Sequence, residues 1–288
     1  MKHTDTELEE ILNQLIASTR SPRGRFSAAA SYPELEKRLK SHTRHLTLIR
    51  TFSAAAAVVL LCLSVWTAYL YMQPAAIQTI STLAETRSVR LPDGSSVTLN
   101  HYSSLSYPEK FQSDKREVEL NGEAYFEVAK NKKIPFFVNT EINRVKVVGT
   151  HFNVCAYKGS NEFETTLIEG IVDIYPIGSD QVITRLTKDE FFGSYNGKYK
   201  KTTLPSYEYL RWKEGLYCFD DAPFNSLLNK LEKYYNVNIS VRNLNILNYR
   251  CTGKFKEQDG IEHILKVIQK DHKFTYSINE EKDSIIIE

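Results

Sequence analysis

Residues 116–128 read REVELNGEAYFEV, a stretch that alternates apolar and polar side chains on both sides of a central glycine. The apolar members of the alternation are Val118, Leu120, Ala124, Phe126 and Val128. A period of two is the pattern of a β-strand with one buried face. A glycine inside such a run commonly marks a bulge, a corner or a shift of face. The stretch therefore predicts strand structure that is interrupted at Gly122.

The same pattern recurs on both sides of this stretch. The further segments are LPDGSSVTLN (91–100), NRVKVVGTHFNVCAY (143–157) and TTLIEGIVDIY (165–175). Asp93-Gly94 is a turn signal, and Gly149 and Gly170 again interrupt an apolar alternation. Successive strands and corners without helices favour an all-β sandwich, barrel or short solenoid. We expect this β-domain to cover residues 85–204.

Helical periodicity appears after residue 205. Residues 216–241 read as strand, turn, helix and strand, and residues 249–288 repeat that order. The apolar helix faces comprise Leu227, Leu228, Leu231 and Tyr235 in the first half, and Ile261, Ile264, Leu265 and Ile268 in the second. Two βαβ-like halves predict a compact α+β domain over residues 205–288.

One uncharged segment precedes the β-domain. Residues 52–72 are predominantly apolar, and a helix of that length reaches roughly the 30 Å of a bilayer's hydrocarbon core. Because residues 1–51 precede it, we expect a retained transmembrane anchor and not a cleaved signal peptide. The alternative is a buried core helix, which normally shows a polar stripe. Residues 73–84 are expected to form a linker.

The charges on the two sides of this segment differ. Basic residues on its N-terminal side are Lys37, Arg38, Lys40, Arg44 and Arg50, whereas Arg87 and Arg90 follow it. Cytoplasmic flanks of membrane helices carry the excess of lysine and arginine. We therefore expect a single-pass membrane protein, with residues 1–51 in the cytoplasm and the folded domains on the other side of the membrane.

The N-terminal segment predicts an amphipathic helix. Its apolar side chains, at helical spacing, are Leu8, Ile11, Leu12, Leu15 and Ile16. About fifty residues seldom form a core alone, so this face is expected to dock on a partner protein. The alternative is that it lies on the membrane surface or pairs with a second helix starting at Pro33.

Composition and motifs exclude several classes of function. The 37 basic and 35 acidic residues leave a formal net charge of +2, too small for a general nucleic-acid footprint. There is no HExxH, GxSxG, phosphate loop or GxGxxG. We expect no metal site, no cofactor and no enzymatic active site.

Two features of the last domain predict contacts. Cys218 and Cys251 lie in its two halves and would form a disulfide in an oxidising compartment, unless the fold holds them apart. Ile285, Ile286 and Ile287 form a terminal apolar strand, which predicts an open sheet edge for a partner strand. The alternative is that this strand pairs entirely within the domain.

Four stretches together resemble a known family. They are SVRLPDGSSVTLNHYSSLSYPEKF (88–111), REVELNGEAYFEVAKNKKIPFFV (116–138), VKVVGTHFNVCAY (145–157) and TTLIEGIVDIY (165–175). This series is similar to FecR-type anti-sigma regulators of Gram-negative bacteria, and the C-terminal repeat resembles the STN-type domain that ends many of them. The resemblance covers residues 85–288.

The resemblance implies a cell-surface signalling relay at the bacterial inner membrane, with the C-terminus of the chain in the periplasm. An outer-membrane TonB-dependent transducer would pass a signal through its periplasmic domain to this chain, with Ile285 to Ile287 as the docking edge. The face of Leu8 to Ile16 would then release or activate an extracytoplasmic-function (ECF) sigma factor that controls nutrient-uptake genes. Whether the regulator inhibits or activates its sigma factor stays open.

The resemblance also bears on one peptide bond. Some relatives cleave themselves at a Gly-Thr bond in the motif VGTHFNV, where the threonine hydroxyl attacks the preceding carbonyl. The matching pair here is Gly149-Thr150. The alternative is that Gly149 only turns a corner and that Thr150 satisfies a backbone group.

A rival function is a membrane-anchored periplasmic glycan-binding module or enzyme. It would need an exposed aromatic platform, for which the candidates are Tyr102, Tyr107, Phe111 and Tyr125. Packing of these rings within the sheets is the simpler explanation.

Overall fold

The computed structural model describes residues 9–11, 13–14, 33, 37, 52–69, 76–204, 206–279, 281 and 283–288. The chain divides into two compact units, Met1–Pro74 and Ala75–Glu288. In the first unit Ile11 is helical and exposed. The other members of the predicted docking face, Leu8, Leu12, Leu15 and Ile16, lie outside the described residues.

One apolar helix, α1, spans Phe52–Tyr69 and is long and apolar enough to cross a membrane. Its side chains are exposed, including Leu60 and Trp66. The alternative of a buried core helix is therefore wrong. Residues 70–72 of the predicted span lie outside the described part of the chain. A single apolar helix near the N-terminus is consistent with a single-pass anchor.

In the described part of the second unit, thirteen strands form one sheet. Their bounds are β1 Ile77–Ser81, β2 Arg87–Arg90, β3 Ser96–Leu99, β4 Ser104–Pro108, β5 Arg116–Glu127, β6 Phe136–Asn139, β7 Asn143–Val147, β8 His151–Ala156, β9 Glu162–Glu169, β10 Val172–Pro176, β11 Thr184–Leu186, β12 Glu190–Tyr195 and β13 Lys198–Thr203. The main strand order is β11-β10-β7-β6-β5-β8-β9-β12-β13, with β1–β4 and β2–β3 pairs joined to β5. The β-domain, residues 76–204, thus includes β1, which the sequence had assigned to the linker 73–84.

The long strand β5 belongs to two layers of this curled sheet. Its first half lies between β4 and β6, and its second half lies between β3 and β8. The change occurs at Gly122, whose φ is +110°. A Cβ there would lie 2.2 Å from the Ser103 Oγ, so only glycine fits this corner. The interruption predicted at Gly122 is therefore a shift of the strand from one layer to the other.

The two layers of the curled sheet enclose one apolar core. Phe126 and Phe152 stack in it with ring centroids 5.0 Å apart. Leu105 and Val118 from the other layer are equally buried. The alternation read from the sequence thus identifies the inward faces of both layers.

The Asp93-Gly94 turn is held by a buried ion pair. Asp93 Oδ1 accepts a hydrogen bond from the Ser95 backbone N–H at 3.0 Å, and Oδ2 accepts one from Arg116 Nη1 at 2.7 Å. Arg116 begins β5 and also donates to the backbone carbonyl of Ala129. The turn at the start of the domain is therefore fastened to the central strand.

The C-terminal domain, residues 206–288, combines helices and two small sheets. Its elements are the 3₁₀ helix η1 Glu208–Glu214, β14 Leu216–Pro223, α2 Phe224–Tyr235, β15 Asn238–Val241, η2 Leu244–Asn248, β16 Arg250–Lys256, η3 Glu257–Asp259, α3 Gly260–Asp271, β17 Tyr276–Asn279 and β18 Ser284–Ile287. Strand β14 pairs with β16, and the other sheet has the order β15-β18-β17. Each predicted half therefore contributes strands to both sheets, and both helices pack on a common core.

The prediction of an open edge at Ile285, Ile286 and Ile287 is wrong. These residues form β18, which pairs in parallel with β15 and antiparallel with β17. Ile285 and Ile287 are buried, at 1% and 0% exposure. A strand of three isoleucines is most stable at the centre of a sheet, where both of its edges and one of its faces are covered. The outer strands of this sheet are β15 and β17.

The predicted disulfide between Cys218 and Cys251 is also wrong. Both side chains are buried free thiols on neighbouring strands. The register places Cys218 opposite Lys254, and Cys251 opposite Ala222. Cys251 thus lies three residues along β16 from Lys254, the residue opposite Cys218. Three residues of strand span about 10 Å, which exceeds the Cα separation of a disulfide.

Candidate functional site at the junction of the β-domain and the C-terminal domain

A buried polar loop connects β3 to β4. We call Asn100 to Ser103 the junction loop; Asn100, His101 and Ser103 are at most 1% exposed, and Tyr102 has a φ of +47°. Buried backbone polar groups need partners, and this loop obtains them from three directions. Within the sheet, the Asn100 N–H donates to the Glu123 carbonyl at 2.9 Å.

On one side the junction loop is bonded to the segment that follows β1. The Thr82 N–H donates to the Ser103 carbonyl at 2.9 Å, and Thr82 Oγ1 donates to the Asn100 carbonyl at 2.5 Å. The Tyr102 N–H donates to the Leu83 carbonyl at 2.9 Å. The loop therefore forms a continuous hydrogen-bonded unit with the beginning of the β-domain.

On the other side the loop enters the C-terminal domain through His101. Its Nδ1 lies 2.9 Å from the Tyr234 backbone carbonyl, and its Nε2 lies 2.5 Å from Glu257 Oε1. Both partners are acceptors, so the ring satisfies both when each nitrogen carries a proton. The Tyr217 ring meets His101 edge-on and stacks on Tyr234 with centroids 4.6 Å apart. One side chain of the β-domain is thus enclosed by three elements of the C-terminal domain.

A second part of the junction is a buried carboxyl group on the adjacent sheet face. Glu123 accepts hydrogen bonds from Asn100 Nδ2 at 2.7 Å and from Asn153 Nδ2 at 2.8 Å. Burial raises the pKa of Glu123 above its ordinary value of 4.5, against the opposing effect of the nearby Lys230 ammonium. Burial also raises the pKa of the neighbouring Cys155 thiol. Burial thus disfavours the ionised forms of these two side chains.

Lysines of the C-terminal domain cover the same sheet face. Lys233 Nζ forms an ion pair with Glu162 Oε2 at 2.6 Å. Lys213 Nζ lies 3.4 Å from the centroid of the Tyr125 ring, a cation–π contact. These charged contacts add to apolar packing across the junction, where Tyr125 and Ile168 of the β-domain contact the core of the C-terminal domain.

The connection between the two domains is itself unusual. The 3₁₀ helix η1 is seven residues long, whereas such helices seldom exceed four residues. One of its buried polar atoms, Trp212 Nε1, has no hydrogen-bond partner among the described residues. An unpaired buried N–H destabilises the packed state relative to an apolar side chain of the same shape.

The Gly149-Thr150 bond lies at the corner between β7 and β8, apart from the junction loop. Gly149 has a φ of +151°, and a Cβ there would lie 2.6 Å from the Lys130 Cα. Thr150 is buried, and its Oγ1 donates to the Ile171 carbonyl at 3.1 Å. This contact matches the alternative in which Thr150 satisfies a backbone group, and self-cleavage stays a prediction.

The aromatic residues proposed as a glycan platform do not form an exposed surface. Tyr107 and Tyr125 are buried, and Phe111 packs against Phe136 with ring centroids 6.0 Å apart. Tyr102 is half-buried in the junction loop. Within the described part of the chain, no group of three histidine, cysteine or acidic side chains is placed to hold a metal ion.

Sequence reasoning named Tyr102 of the junction loop, as part of an aromatic platform, but not His101 or its partners. His101 and Glu257 are separated by 156 positions, and His101 and Tyr234 by 133. A lone histidine shows no ligand spacing, and a polar residue in a strand reads as solvent-facing. The local signal was the polar run NHYSS after an alternating strand, which indicates a loop but not its burial.

Comparisons with known proteins agree over both domains. A family model described as FecR protein matches residues 78–173, and one described as FecR, C-terminal matches residues 216–287. Comparison with the curated proteins found no match. Two crystal structures of a candidate anti-sigma factor from Parabacteroides distasonis ATCC 8503, at 2.50 and 1.65 Å resolution, are similar to the chain. Each is 30% identical with a TM-score of 0.63, and the alignments cover 74% and 73% of this chain and 98% of the other.

Proposed function

The chain belongs to the FecR family of anti-sigma regulators, and from this premise we propose that it relays a signal across the bacterial inner membrane. An outer-membrane TonB-dependent transducer supplies the signal through its periplasmic signalling domain. The chain passes it to an ECF sigma factor that controls transcription of nutrient-uptake genes. In this proposal it acts by binding and not as an enzyme.

The proposed topology follows from α1 and the charges around it. Phe52–Tyr69 crosses the membrane, residues 1–51 lie in the cytoplasm, and both folded domains lie in the periplasm. The sigma factor then binds the amphipathic face that contains Ile11, which is helical and exposed. Binding through one apolar helix face is a common mode of protein recognition.

The C-terminal domain is the proposed receiver of the signal. It has two helices and two small sheets in a strand, helix and strand repeat, and we propose that it is an STN-type domain. The docking edge for the transducer is not β18, because β18 is the central strand. We place the docking surface elsewhere on this domain.

The junction loop is the observation that carries the proposal. It contacts the C-terminal domain through His101 and the segment after β1 through Thr82. Strand β1 begins at Ile77, shortly after α1 ends at Tyr69. In this proposal a shift of the C-terminal domain that moves His101 acts on the segment that follows β1, at the start of the β-domain.

The test uses the full-length chain in its host. Sigma-factor recovery by co-purification and output from a sigma-dependent reporter are measured with and without the inducing nutrient. We expect the pair Leu12→Asp and Leu15→Asp to abolish sigma binding while leaving membrane insertion intact. His101→Ala should leave sigma binding intact and remove the response to the nutrient.

The matched control is His263→Ala, a histidine on the exposed part of α3. It should retain both binding and response. Sigma binding that survives both aspartate substitutions would refute the proposed cytoplasmic face. A normal nutrient response in the His101→Ala protein would refute the role of the junction.

A further inference from the structure

Strand β13 is an open edge that carries only basic and neutral side chains. It ends the large sheet and, within the described residues, pairs with β12 alone. Its sequence is KYKKTT, and all six residues are exposed. No side chain of this strand is buried in the core, although Tyr199 touches Phe192 with ring centroids 5.6 Å apart. The strand therefore extends the sheet into solvent.

The orientation of its backbone groups follows from the pairing register. The Leu204 N–H donates to the Asp189 carbonyl at 2.8 Å, and antiparallel pairs alternate between bonded and non-bonded. The Asn196-Gly197 turn, with φ of +48° and +78°, joins Tyr195 to Lys198. A two-residue turn makes this a hydrogen-bonded pair, in agreement with the bond at Leu204. Tyr199, Lys201 and Thr203 therefore point their N–H and carbonyl groups away from β12.

The charge of the edge selects its partner. Lys198 and Lys200 project to one face of the strand and Lys201 to the other, and the strand has no acidic residue. Lys201 forms an ion pair with Glu190 at 3.0 Å. Two copies of this edge would place lysines beside lysines, which disfavours self-pairing. A strand with carboxylates at alternate positions would instead pair its charges with Lys198 and Lys200.

The opposite side of β12 shows such a neighbour. Strand β9 pairs there and carries Glu162 and Glu164 two residues apart. The Tyr195 hydroxyl of β12 donates to Glu164 Oε1 at 2.6 Å. The hairpin of β12 and β13 thus already pairs with a glutamate-bearing strand, β9, along its β12 side.

We propose that β13 is a docking edge for an extended acidic strand of a protein partner. The partner adds to the sheet through the backbone groups of Tyr199, Lys201 and Thr203. Its carboxylates pair with the lysines, which fixes register and orientation. This inference concerns the β-domain and does not depend on the relay proposed above.

The probe is a short fluorescein-labelled peptide of alternating glutamate and threonine, with a glutamine version as control. Binding to the full-length protein in phosphatidylcholine nanodiscs is measured by fluorescence anisotropy. Lys201→Pro removes an outward N–H without touching the ladder to β12. Lys201→Gln is the matched control, because it loses the same ammonium group and Glu190 contact but keeps the N–H.

We expect the glutamate peptide to bind more tightly than the glutamine peptide. Lys201→Pro should weaken its binding about tenfold relative to Lys201→Gln, as expected for one lost hydrogen bond. Lys198→Gln with Lys200→Gln should weaken binding and reduce its salt dependence. Far-ultraviolet circular dichroism and the melting temperature check that each variant is folded.

Three results would overturn the proposal. One is equal binding of the glutamate and glutamine peptides. Another is equal affinity of folded Lys201→Pro and Lys201→Gln proteins, which would show that the backbone edge takes no part. The third is unchanged binding of the glutamate peptide after Lys198→Gln with Lys200→Gln, which would show that these lysines do not pair with its carboxylates.

Discussion

The Nε2 atom of His101 lies 2.5 Å from Oε1 of Glu257, and these residues are 156 positions apart in the chain. The histidine side chain is 2% exposed and the glutamate side chain 24%. The pair therefore joins the β-domain to the first residue of η3 at a place where water reaches one partner only. The His101–Glu257 pair can form only when the two domains are packed against each other.

The first prediction concerns this pair. His101→Ala leaves the Tyr234 carbonyl and the Glu257 carboxylate without their donor. We expect the free energy of unfolding to fall by about 2 kcal/mol, as for a lost buried hydrogen-bond partner. Hydrogen exchange should accelerate in the junction loop before it does so in the core of the sandwich. Denaturant unfolding and exchange mass spectrometry measure these effects.

Glu262→Gln is the control for this experiment. Its carboxylate pairs with Lys266 on the exposed face of α3, 2.7 Å away. Isolated surface pairs contribute little to stability, so we expect no measurable change. Equal stability and exchange in the His101→Ala and Glu262→Gln proteins would contradict a structural role for the junction pair.

The second prediction concerns Glu123 and pH. Burial raises its pKa, so the folded state binds the proton more tightly than the unfolded state does. The resulting stabilisation is present in acid and is lost as pH rises from about 4.5 through the folded pKa. Asn153 Oδ1 has no hydrogen-bond partner among the described residues, and rotating that amide would let Oδ1 accept the proton of neutral Glu123.

Glu123→Gln imitates the neutral acid, with Oε1 accepting from Asn100 and Nε2 donating to Asn153. We expect the variant to be more stable than the parent by about 1 kcal/mol near pH 7, and the difference to shrink towards pH 4. Denaturant titrations at a series of pH values provide the measurement. A variant that is less stable at every pH would show that the carboxylate is bound in its ionised form.

The third prediction concerns Thr150. Its hydroxyl donates to the Ile171 carbonyl, so Thr150→Val should lower the free energy of unfolding by about 1 kcal/mol and Thr150→Ser by less. Immunoblots of the same proteins from cells test self-cleavage at Gly149-Thr150. If the hydroxyl attacks the preceding carbonyl, Thr150→Ser yields fragments and Thr150→Val does not. A single full-length band in the unaltered protein excludes the reaction.

The sequence predicted those features of the fold that depend on local pattern. Alternation with a period of two identified the inward side chains, such as Phe126 and Phe152, and the helical period identified Leu227 and Ile264 as core residues. Gly122 was correctly predicted as an interruption, because the left-handed φ of a corner leaves a signal in a single residue.

Features set by pairing between distant segments were not predicted. The position of β18 at the end of the chain suggested an edge, yet the strand enters between β15 and β17. The register of β14 and β16, which separates Cys218 from Cys251, is likewise absent from local pattern. The site was missed for the same reason, since the partners of His101 lie in a different domain.

The last prediction uses two glycines that share a backbone conformation but differ in surroundings. Gly122 has a φ of +110° and Gly94 a φ of +85°, so an alanine is strained at either position. A Cβ at Gly94 meets nothing within 4 Å, whereas one at Gly122 would lie 2.6 Å from the Ser103 Cα. Gly94→Ala should therefore destabilise the protein by about 1 kcal/mol, which is the cost of holding an alanine at positive φ without any clash.

Gly122→Ala adds a clash with the backbone of the junction loop, so we expect a loss of at least about 3 kcal/mol. The variant should also lose the nutrient response, since Ser103 cannot move without displacing its neighbour His101. Chemical unfolding of both variants, together with the sigma-dependent reporter, measures the two effects. Similar destabilisation by Gly122→Ala and Gly94→Ala would show that the loop yields to the added methyl group, and that its position is not fixed by β5.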